Sequence, residues 1–214
     1  MTTRNRITNT LAFAAVACIA LTATSAWAGV SVIGTPDFTL SSSTSSGTTH
    51  DNLPAAFVSQ IAPGDITPSA TSTFGSFPVS NLTDGDRATG DGASSWASGS
   101  AATVTLTMTF PSANVAGIIL NWGWGDRTPG DYEVVINGTT SLGSIQVDTG
   151  GGTAGTESTE PNTYIIFDSL QSGVTSIEVI GSNGGGNPNA WGFDEIEVYT
   201  GAVPATPGTL IYGK

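Results

Sequence analysis

The most constraining feature of the sequence is a strict alternation of apolar residues and threonines over residues 102–110. Val104, Leu106, Met108 and Phe110 are separated by threonines at the odd positions. A β-strand points successive side chains to opposite faces of its sheet, so this alternation predicts one buried face and one solvated face. It indicates a strand of an antiparallel sandwich.

Six further runs have the composition of short strands and are separated by turn signals. They cover residues 116–122, 132–137, 144–147, 163–168, 174–180 and 193–199. The turn signals between them include Pro111-Ser112, Asn137-Gly138 and the Gln-Ser-Gly run at 171–173. No helical stretch of useful length follows residue 28. We therefore predict an all-β fold, an antiparallel β-sandwich of the jelly-roll type, over residues 69–200.

Residues 1–28 have the pattern of a secretory signal peptide. Arg4 and Arg6 precede an apolar stretch at 11–21, and Ala26-Trp27-Ala28 precedes Gly29. We expect cleavage after Ala28, a secreted protein and no membrane insertion, because the apolar stretch is too short to span a bilayer. The single cysteine, Cys18, would leave with this segment, so the core or a bound metal must stabilise the fold in place of disulfides.

The charge of the chain argues against anionic partners. Loss of Arg4 and Arg6 would leave three basic residues against 17 acidic ones, a formal charge of −14. Such a surface repels nucleic acid and anionic lipid, so we expect neither as a partner. The same charge also suits the solubility of a secreted protein.

The two ends of the mature chain are harder to interpret. Residues 29–68 are predicted to be an irregular Ser/Thr-rich lead-in, with one candidate strand at 30–33 and a few apolar residues able to dock on the domain. The only histidine, His50, lies in a polar loop and is expected to be solvated. Residues 201–214 are expected to form a flexible tail.

The loop at residues 81–96 is rich in oxygen donors and has no periodicity of its own. Asn81, Asp84, Asp86 and Thr89 offer oxygens at offsets 0, 3, 5 and 8, and Gly85 allows a sharp fold between the aspartates. Calcium requires about six to eight oxygens, so a second segment must contribute, and Asp194-Glu195 is the best candidate. The alternative is a pair of Asx turns without a metal.

Several motifs in order resemble the galactose-binding-like sandwich family, which includes discoidin domains, coagulation-factor type C domains and carbohydrate-binding modules. They are Ser80 to Thr89, Trp96, the threonine-rich strand, Trp122 to Tyr132 and Asp194 to Tyr199. The resemblance covers about residues 69–199. It implies a structural calcium site formed by Asn81, Asp84, Asp86, Thr89, Asp194 and Glu195.

The resemblance also implies a sugar site on loops at one end of the sandwich, where aromatic rings stack on sugars and polar groups bind hydroxyls. The residues proposed for it are Trp124, Asp126, Arg127, Asn189 and Trp191. The alternative is that the tryptophans belong to the core and that Arg127 only pairs with Asp126 or Asp131. Trp96 and Trp122 are expected in the core.

The sequence contains no arrangement that favours catalysis. The mature chain has no cysteine nucleophile, no histidine beside a serine and no zinc-ligand spacing. Acidic residues such as Glu133, Glu178 and Glu197 fall on strand faces with nothing in the sequence to pair them. We therefore predict a secreted, non-catalytic carbohydrate-binding module with a structural calcium ion, whose partner is a polysaccharide or glycan. The alternative is a structural or adhesive extracellular protein of the same fold without sugar binding. Exposure of Trp124 and Trp191 would favour the first, and burial of both the second.

Overall fold

The computed structural model describes residues 29–43, 50–87, 94–148, 158, 161–184 and 190–202. Within these ranges the chain forms ten β-strands and two short 3₁₀ helices, and no α-helix. The strands are β1 (Val30–Ile33), β2 (Phe38–Ser42), β3 (Ser59–Gln60), β4 (Thr67–Ala70), β5 (Trp96–Ala97), β6 (Thr103–Trp122), β7 (Gly130–Ile136), β8 (Thr140–Val147), β9 (Thr163–Ser182) and β10 (Gly192–Thr200). The 3₁₀ helices are Pro63–Asp65 and Val79–Thr83. The predicted all-β antiparallel fold is confirmed. None of the helices in these ranges has the length or hydropathy to cross a bilayer.

Two strands of 20 residues each, β6 and β9, form the centre of the fold. They pair antiparallel along most of their length, from Thr103 opposite Ser182 to Leu120 opposite Thr163. The first half of β6 also pairs with β4, and the second half pairs with β10. Three register shifts between Thr109 and Gly117 bend the pair, so the two halves of one sheet face each other as the layers of a sandwich.

The turns predicted at Pro111-Ser112 and at residues 171–173 were wrong, because both segments lie inside the bent strands β6 and β9. Pro111 has no N–H to donate and falls within the first register shift, where the β6–β9 ladder is interrupted. Gly173 has a φ of +68°, which an L side chain rarely adopts. The signals therefore mark a bend in each strand and not its end. The turn at Asn137-Gly138 is confirmed, with both residues at positive φ, as a type I′ hairpin requires.

The main core lies between the two layers. Leu106 and Met108, from the first half of β6, share one hydrophobic cluster with Ile118 and Leu120 from its second half. Trp96 and Trp122 are buried in the same cluster, as the sequence predicted. The alternating pattern of residues 103–110 is confirmed, because its apolar positions are buried and its threonines face outward.

Three strands join the sheet within residues 29–43 and 50–68, so the predicted irregular lead-in was wrong for these strands. Strand β1, predicted at 30–33, pairs with β8, while β2 pairs with β9 and β3 with β10. Phe57 docks on the outer face of β10, where its ring stacks on Tyr199 at 4.7 Å between centroids. Serine and threonine are frequent here because these strands lie at the periphery of the fold, with one side toward solvent.

The bend brings both ends of β6 and both ends of β9 to the same end of the sandwich, which we call the open end. The loop 123–129 between β6 and β7 lies there, and so does the segment 71–78 after β4. Backbone hydrogen bonds join these parts: Phe74 donates to Ala97, and Ser98 donates to Trp191. The open end therefore carries most of the residues that the sequence assigned to a sugar site.

Candidate functional site

The loop predicted to bind calcium lies against the last strand of the sandwich. The carboxylate of Glu195 accepts a hydrogen bond from the backbone N–H of Gly85, between the two aspartates of the loop. Gly85 has a φ of +80°, which confirms the predicted need for glycine there. Two segments that are distant in the sequence thus meet at Glu195.

The remaining predicted ligands form a second contact between the same two segments. The Asn81 side chain donates to the carbonyl oxygen of Ser95 at 3.0 Å, and the hydroxyl of Ser95 donates to the Asp194 carboxylate. The Asp84 carboxylate accepts from the backbone N–H of Asp86 at 2.8 Å, which is an Asx turn. Thr89 lies outside the described residues.

The electrostatics of Glu195 fit a cation. The side chain is only 1% exposed, and its Oε2 has no hydrogen-bond partner. Burial raises the pKa of Glu195 to about 7, and the carboxylates of Glu197 and Asp84 add to this effect. A buried carboxylate with an unpartnered oxygen and anionic neighbours is stabilised by a positive charge. However, no group of three or more His, Cys, Asp or Glu side chains in the described ranges converges as a metal site. A calcium shell here would therefore need carbonyl and hydroxyl oxygens beside Glu195 and Asp84.

A buried ion-pair cluster next to this loop was not predicted. Glu197 is fully buried and accepts hydrogen bonds from His50 at 2.6 Å, Arg87 at 2.8 Å, Asn121 at 2.8 Å and Tyr199 at 2.9 Å. Burial alone would raise the pKa of Glu197, but these partners, His50 first, hold it below its ordinary value. The predicted solvation of His50 was wrong, because its side chain is 6% exposed and packs against Tyr164. Glu197 lies two residues from Glu195 on the same face of β10, and this spacing was the available signal for the cluster.

The pair Glu195 and Glu197 does not form a glycosidase site. Both carboxylates are buried, and neither belongs to the lining of the groove of about 190 Å³ at the open end. A glycosidase needs two carboxyl groups that flank a bound sugar. The geometry of this pair thus agrees with a structural role.

Trp124 and Trp191 are buried, which agrees with the alternative that these tryptophans belong to the core and not with their assignment to a sugar site. Trp191 is 1% exposed because its ring packs over Gly181 and Gly130, where a Cβ would approach the indole nitrogen to 2.8 and 3.0 Å. Trp124 is 7% exposed because the guanidinium of Arg127 and the ring of Phe77 cover it. Neither ring is available to stack broadly on a sugar.

The exposed ring at this end belongs to Phe74, which the sequence analysis did not select. Phe74 is 49% exposed and stacks on Phe77 at 6.0 Å with the rings nearly parallel. The Arg127 guanidinium carbon lies 5.1 Å from the centre of the Phe74 ring and 4.1 Å from that of Trp124. We call Phe74, Phe77, Trp124 and Arg127 the aromatic–arginine patch. The sequence signal was Phe74-Gly75-Ser76-Phe77, two aromatic residues in a turn just before the loop predicted to bind calcium.

Several polar atoms next to this patch lack partners. The indole N–H of Trp124, Oδ1 of Asp126 and Nε of Arg127 are buried without a hydrogen bond. Burial lowers the pKa of Arg127, whereas the charge of Asp126 acts in the opposite direction. No ion pair of Arg127 occurs among the described residues, so the alternative of a simple pair with Asp126 or Asp131 does not hold there, and the guanidinium stacks on aromatic rings. Asn189, the fifth residue predicted for the sugar site, lies outside the described ranges.

No family model and no curated protein matches this chain. Solved structures do match its fold. The F5/8 type C domain of a Bacteroides fragilis protein has a TM-score of 0.51 at 13% identity, over 70% of this chain and 100% of that domain. A fucolectin from the serum of striped bass, Morone saxatilis, has a TM-score of 0.51 at 16% identity, over 67% of this chain and 50% of the lectin.

A third match is the lectin binding domain of lectinolysin, in a histidine mutant complexed with Lewis b. Its TM-score is 0.50 at 16% identity, over 68% of this chain and 98% of that domain. At such low identities the similarity concerns the path of the backbone and not the binding residues. Together with the bent ten-stranded sheet, these matches confirm the architecture implied by the sequence motifs: the chain has the galactose-binding-like β-sandwich fold.

Proposed function

We propose that the protein is a non-catalytic carbohydrate-binding domain whose glycan site is the aromatic–arginine patch. The observation that carries the proposal is the exposed ring of Phe74 next to a guanidinium fixed between two aromatic rings. The structural neighbours support it, since one is a fucolectin and another is a lectin domain complexed with Lewis b.

The patch contains the two kinds of contact that sugar binding requires. The Phe74 face offers an apolar surface for the C–H face of a pyranose ring. Arg127 is held in place by stacking, so its N–H groups keep a defined direction toward sugar hydroxyls with little loss of side-chain entropy. Asp126, predicted for the same site, is only 5% exposed and its Oδ1 is buried, so it acts on Arg127 through its charge and does not face the glycan.

We also propose a structural calcium ion between the 81–89 loop and strand β10. Glu195 and Asp84 would supply carboxylate oxygens, and Asn81, Asp86, Thr89 and Asp194 the remaining ones. The unpartnered, buried oxygen of Glu195 supports this proposal. The ion would neutralise that carboxylate and hold the loop that follows Phe77, so it would fix the patch from one side.

Secretion belongs to the same proposal. The pattern of residues 1–28 supports export with cleavage after Ala28. Mass spectrometry of the mature protein checks it, because an N-terminus at Gly29 is expected and retention of residues 1–28 would contradict it.

The test of glycan binding is an array of neutral and acidic glycans probed with wild type, Phe74→Ala, Arg127→Lys and Val58→Ala. Loss of the ring should weaken binding about tenfold, given about 1.4 kcal/mol for one stacking contact. Arg127→Lys keeps the charge but loses the planar stack, so it should also weaken binding. Val58 is 62% exposed and belongs to the segment that docks on β10, so Val58→Ala is the matched control and should bind like wild type.

The second candidate is a structural or adhesive extracellular protein of the same fold without sugar binding. The burial of both Trp124 and Trp191 favours it, because the two largest candidate stacking rings are occupied by the core. A folded protein that binds no glycan on the array would establish this alternative. Selective loss of binding in the Phe74 and Arg127 variants would exclude it.

A further inference from the structure

A groove of about 190 Å³ lies at the open end, beside the start of β7 and the ends of β8 and β9. The lining consists of Pro129, Gly130, Asp131, Gln146, Val147, Asp148 and Asn183. We call it the Asp131 groove.

The polar side chains of the groove are fixed by Asp131. Its Oδ2 accepts from the Asn183 side-chain amide at 2.7 Å, and its Oδ1 accepts from the Gln146 amide at 3.2 Å. Asn183 has a φ of +52°, so its backbone is held in the left-handed region while its side chain points back to Asp131. Each amide has a second N–H and an acceptor oxygen that these two bonds do not use.

This set of groups suits an uncharged polyhydroxyl ligand. A sugar hydroxyl donates one hydrogen bond and accepts others, so it needs donors and acceptors side by side, as two amides around a carboxylate provide. Pro129 and the buried Val147 add apolar surface to the lining. The lining contains two aspartates and no cationic side chain, so an anionic sugar would be repelled.

The groove and the aromatic–arginine patch each include residues of the loop 123–129. Pro129 follows Arg127 by two residues, so their Cα atoms are at most about 7 Å apart. Resting on the proposed function, we propose that the Asp131 groove is a second sugar subsite next to the patch, and that the protein binds an uncharged oligosaccharide across both. One end of the glycan occupies the patch, and the next unit hydrogen-bonds the amides of Asn183 and Gln146.

The experiment compares ligands of increasing length. Uncharged β-1,4-linked galactose, glucose and mannose are used as monosaccharides, disaccharides and tetrasaccharides, with dissociation constants from titration calorimetry or NMR. The variants are Asn183→Ala and Gln146→Ala, both at exposed positions. Gln171→Ala is the matched control, because Gln171 is an amide whose hydrogen bonds are made within its own segment, in the bend of β9.

In at least one series we expect the tetrasaccharide to bind more tightly than the monosaccharide. Each groove variant should weaken tetrasaccharide binding about three- to tenfold, the effect of one hydrogen bond, and leave monosaccharide binding unchanged. The Phe74→Ala variant should weaken both, and Gln171→Ala neither. Equal affinity for all lengths, or tetrasaccharide binding unchanged in both groove variants, would overturn the second subsite and leave the patch intact. No binding in any series, together with no binding on the array, would overturn the proposed function itself.

Discussion

The raised pKa of Glu195 predicts that the calcium-free protein loses stability as the pH rises. The group titrates near 4.5 when unperturbed and near 7 in the folded protein. Between these values the native state holds a proton that the unfolded state has released. Stability is therefore highest below about pH 4.5, falls with rising pH and reaches its lower level above about pH 7.

The size of the loss follows from the two pKa values. A difference of about 2.5 pKa units corresponds to roughly 3 kcal/mol at about 1.36 kcal/mol per unit. This is a large part of the 5–15 kcal/mol that typically stabilises a domain. Glu197 has a lowered pKa and acts with the opposite sign, because its contribution is lost when the pH falls below its ordinary range. Over the interval from pH 5 to 8 this contribution of Glu197 is therefore retained.

The assay is urea denaturation followed by tryptophan fluorescence at pH 5, 6, 7 and 8, with EGTA or with calcium. In EGTA the free energy of unfolding should fall by about 2.5 kcal/mol over this interval, because at pH 5 the unfolded state has already released most of its proton. Saturating calcium should remove most of the decline, since an ion that binds only the native state adds about 2.7 kcal/mol at a hundredfold excess over its Kd.

The variant Glu195→Gln provides the matched control. It keeps an acceptor for the N–H of Gly85 and removes the charge, so its stability should be nearly flat from pH 5 to 8 and insensitive to calcium. At pH 8 in EGTA the free energy of unfolding of Glu195→Gln should be higher than that of wild type. In calcium at the same pH it should be lower than that of wild type. A wild type whose stability is independent of both pH and calcium would refute this reasoning.

Three further substitutions test the packing, each by urea denaturation. Gly117→Ala should destabilise the protein by about 3 kcal/mol, because the new Cβ would lie 2.2 Å from the carbonyl oxygen of Ile165; a loss below 1 kcal/mol would contradict the tight approach. Trp124→Ala should cost about 3 kcal/mol, and unchanged stability would mean that the ring is exposed. Glu197→Gln should cost about 3 kcal/mol, because it leaves His50 beside an uncharged partner in a buried site. A cost no larger than that of Glu133→Gln, at a half-buried position on β7, would contradict the ion-pair cluster.

The parts of the fold predicted correctly are those fixed by local pattern. Alternation at 103–110 and the Asn137-Gly138 turn each depend on a few neighbouring residues, and both are confirmed. The bends in β6 and β9 were missed because proline and glycine interrupt a hydrogen-bond ladder equally well at a turn and at a bulge. Whether such a segment forms a turn or a bulge depends on the strand with which it pairs, and the sequence does not specify that strand.

In the candidate site, too, some features were predicted from the sequence and others were not. The loop at 81–89 and Asp194-Glu195 were predicted to lie together, and the structure places Gly85 and Asp84 beside Glu195. The burial of Trp191 was not foreseeable from its loop, since it depends on two glycines, Gly130 and Gly181, that leave room for the ring. Phe74 was missed because a single exposed ring carries no periodic signal.

The continuity of β6 and β9 through both layers also determines how the molecule comes apart. In a sandwich of two separate sheets, one layer can loosen while the other persists. Here both layers share the same two backbones, so neither layer can unfold without opening the other. Amide hydrogen exchange should therefore be slow and have a single rate along both long strands. The loops at the open end are attached to strands that unfold as one cooperative unit.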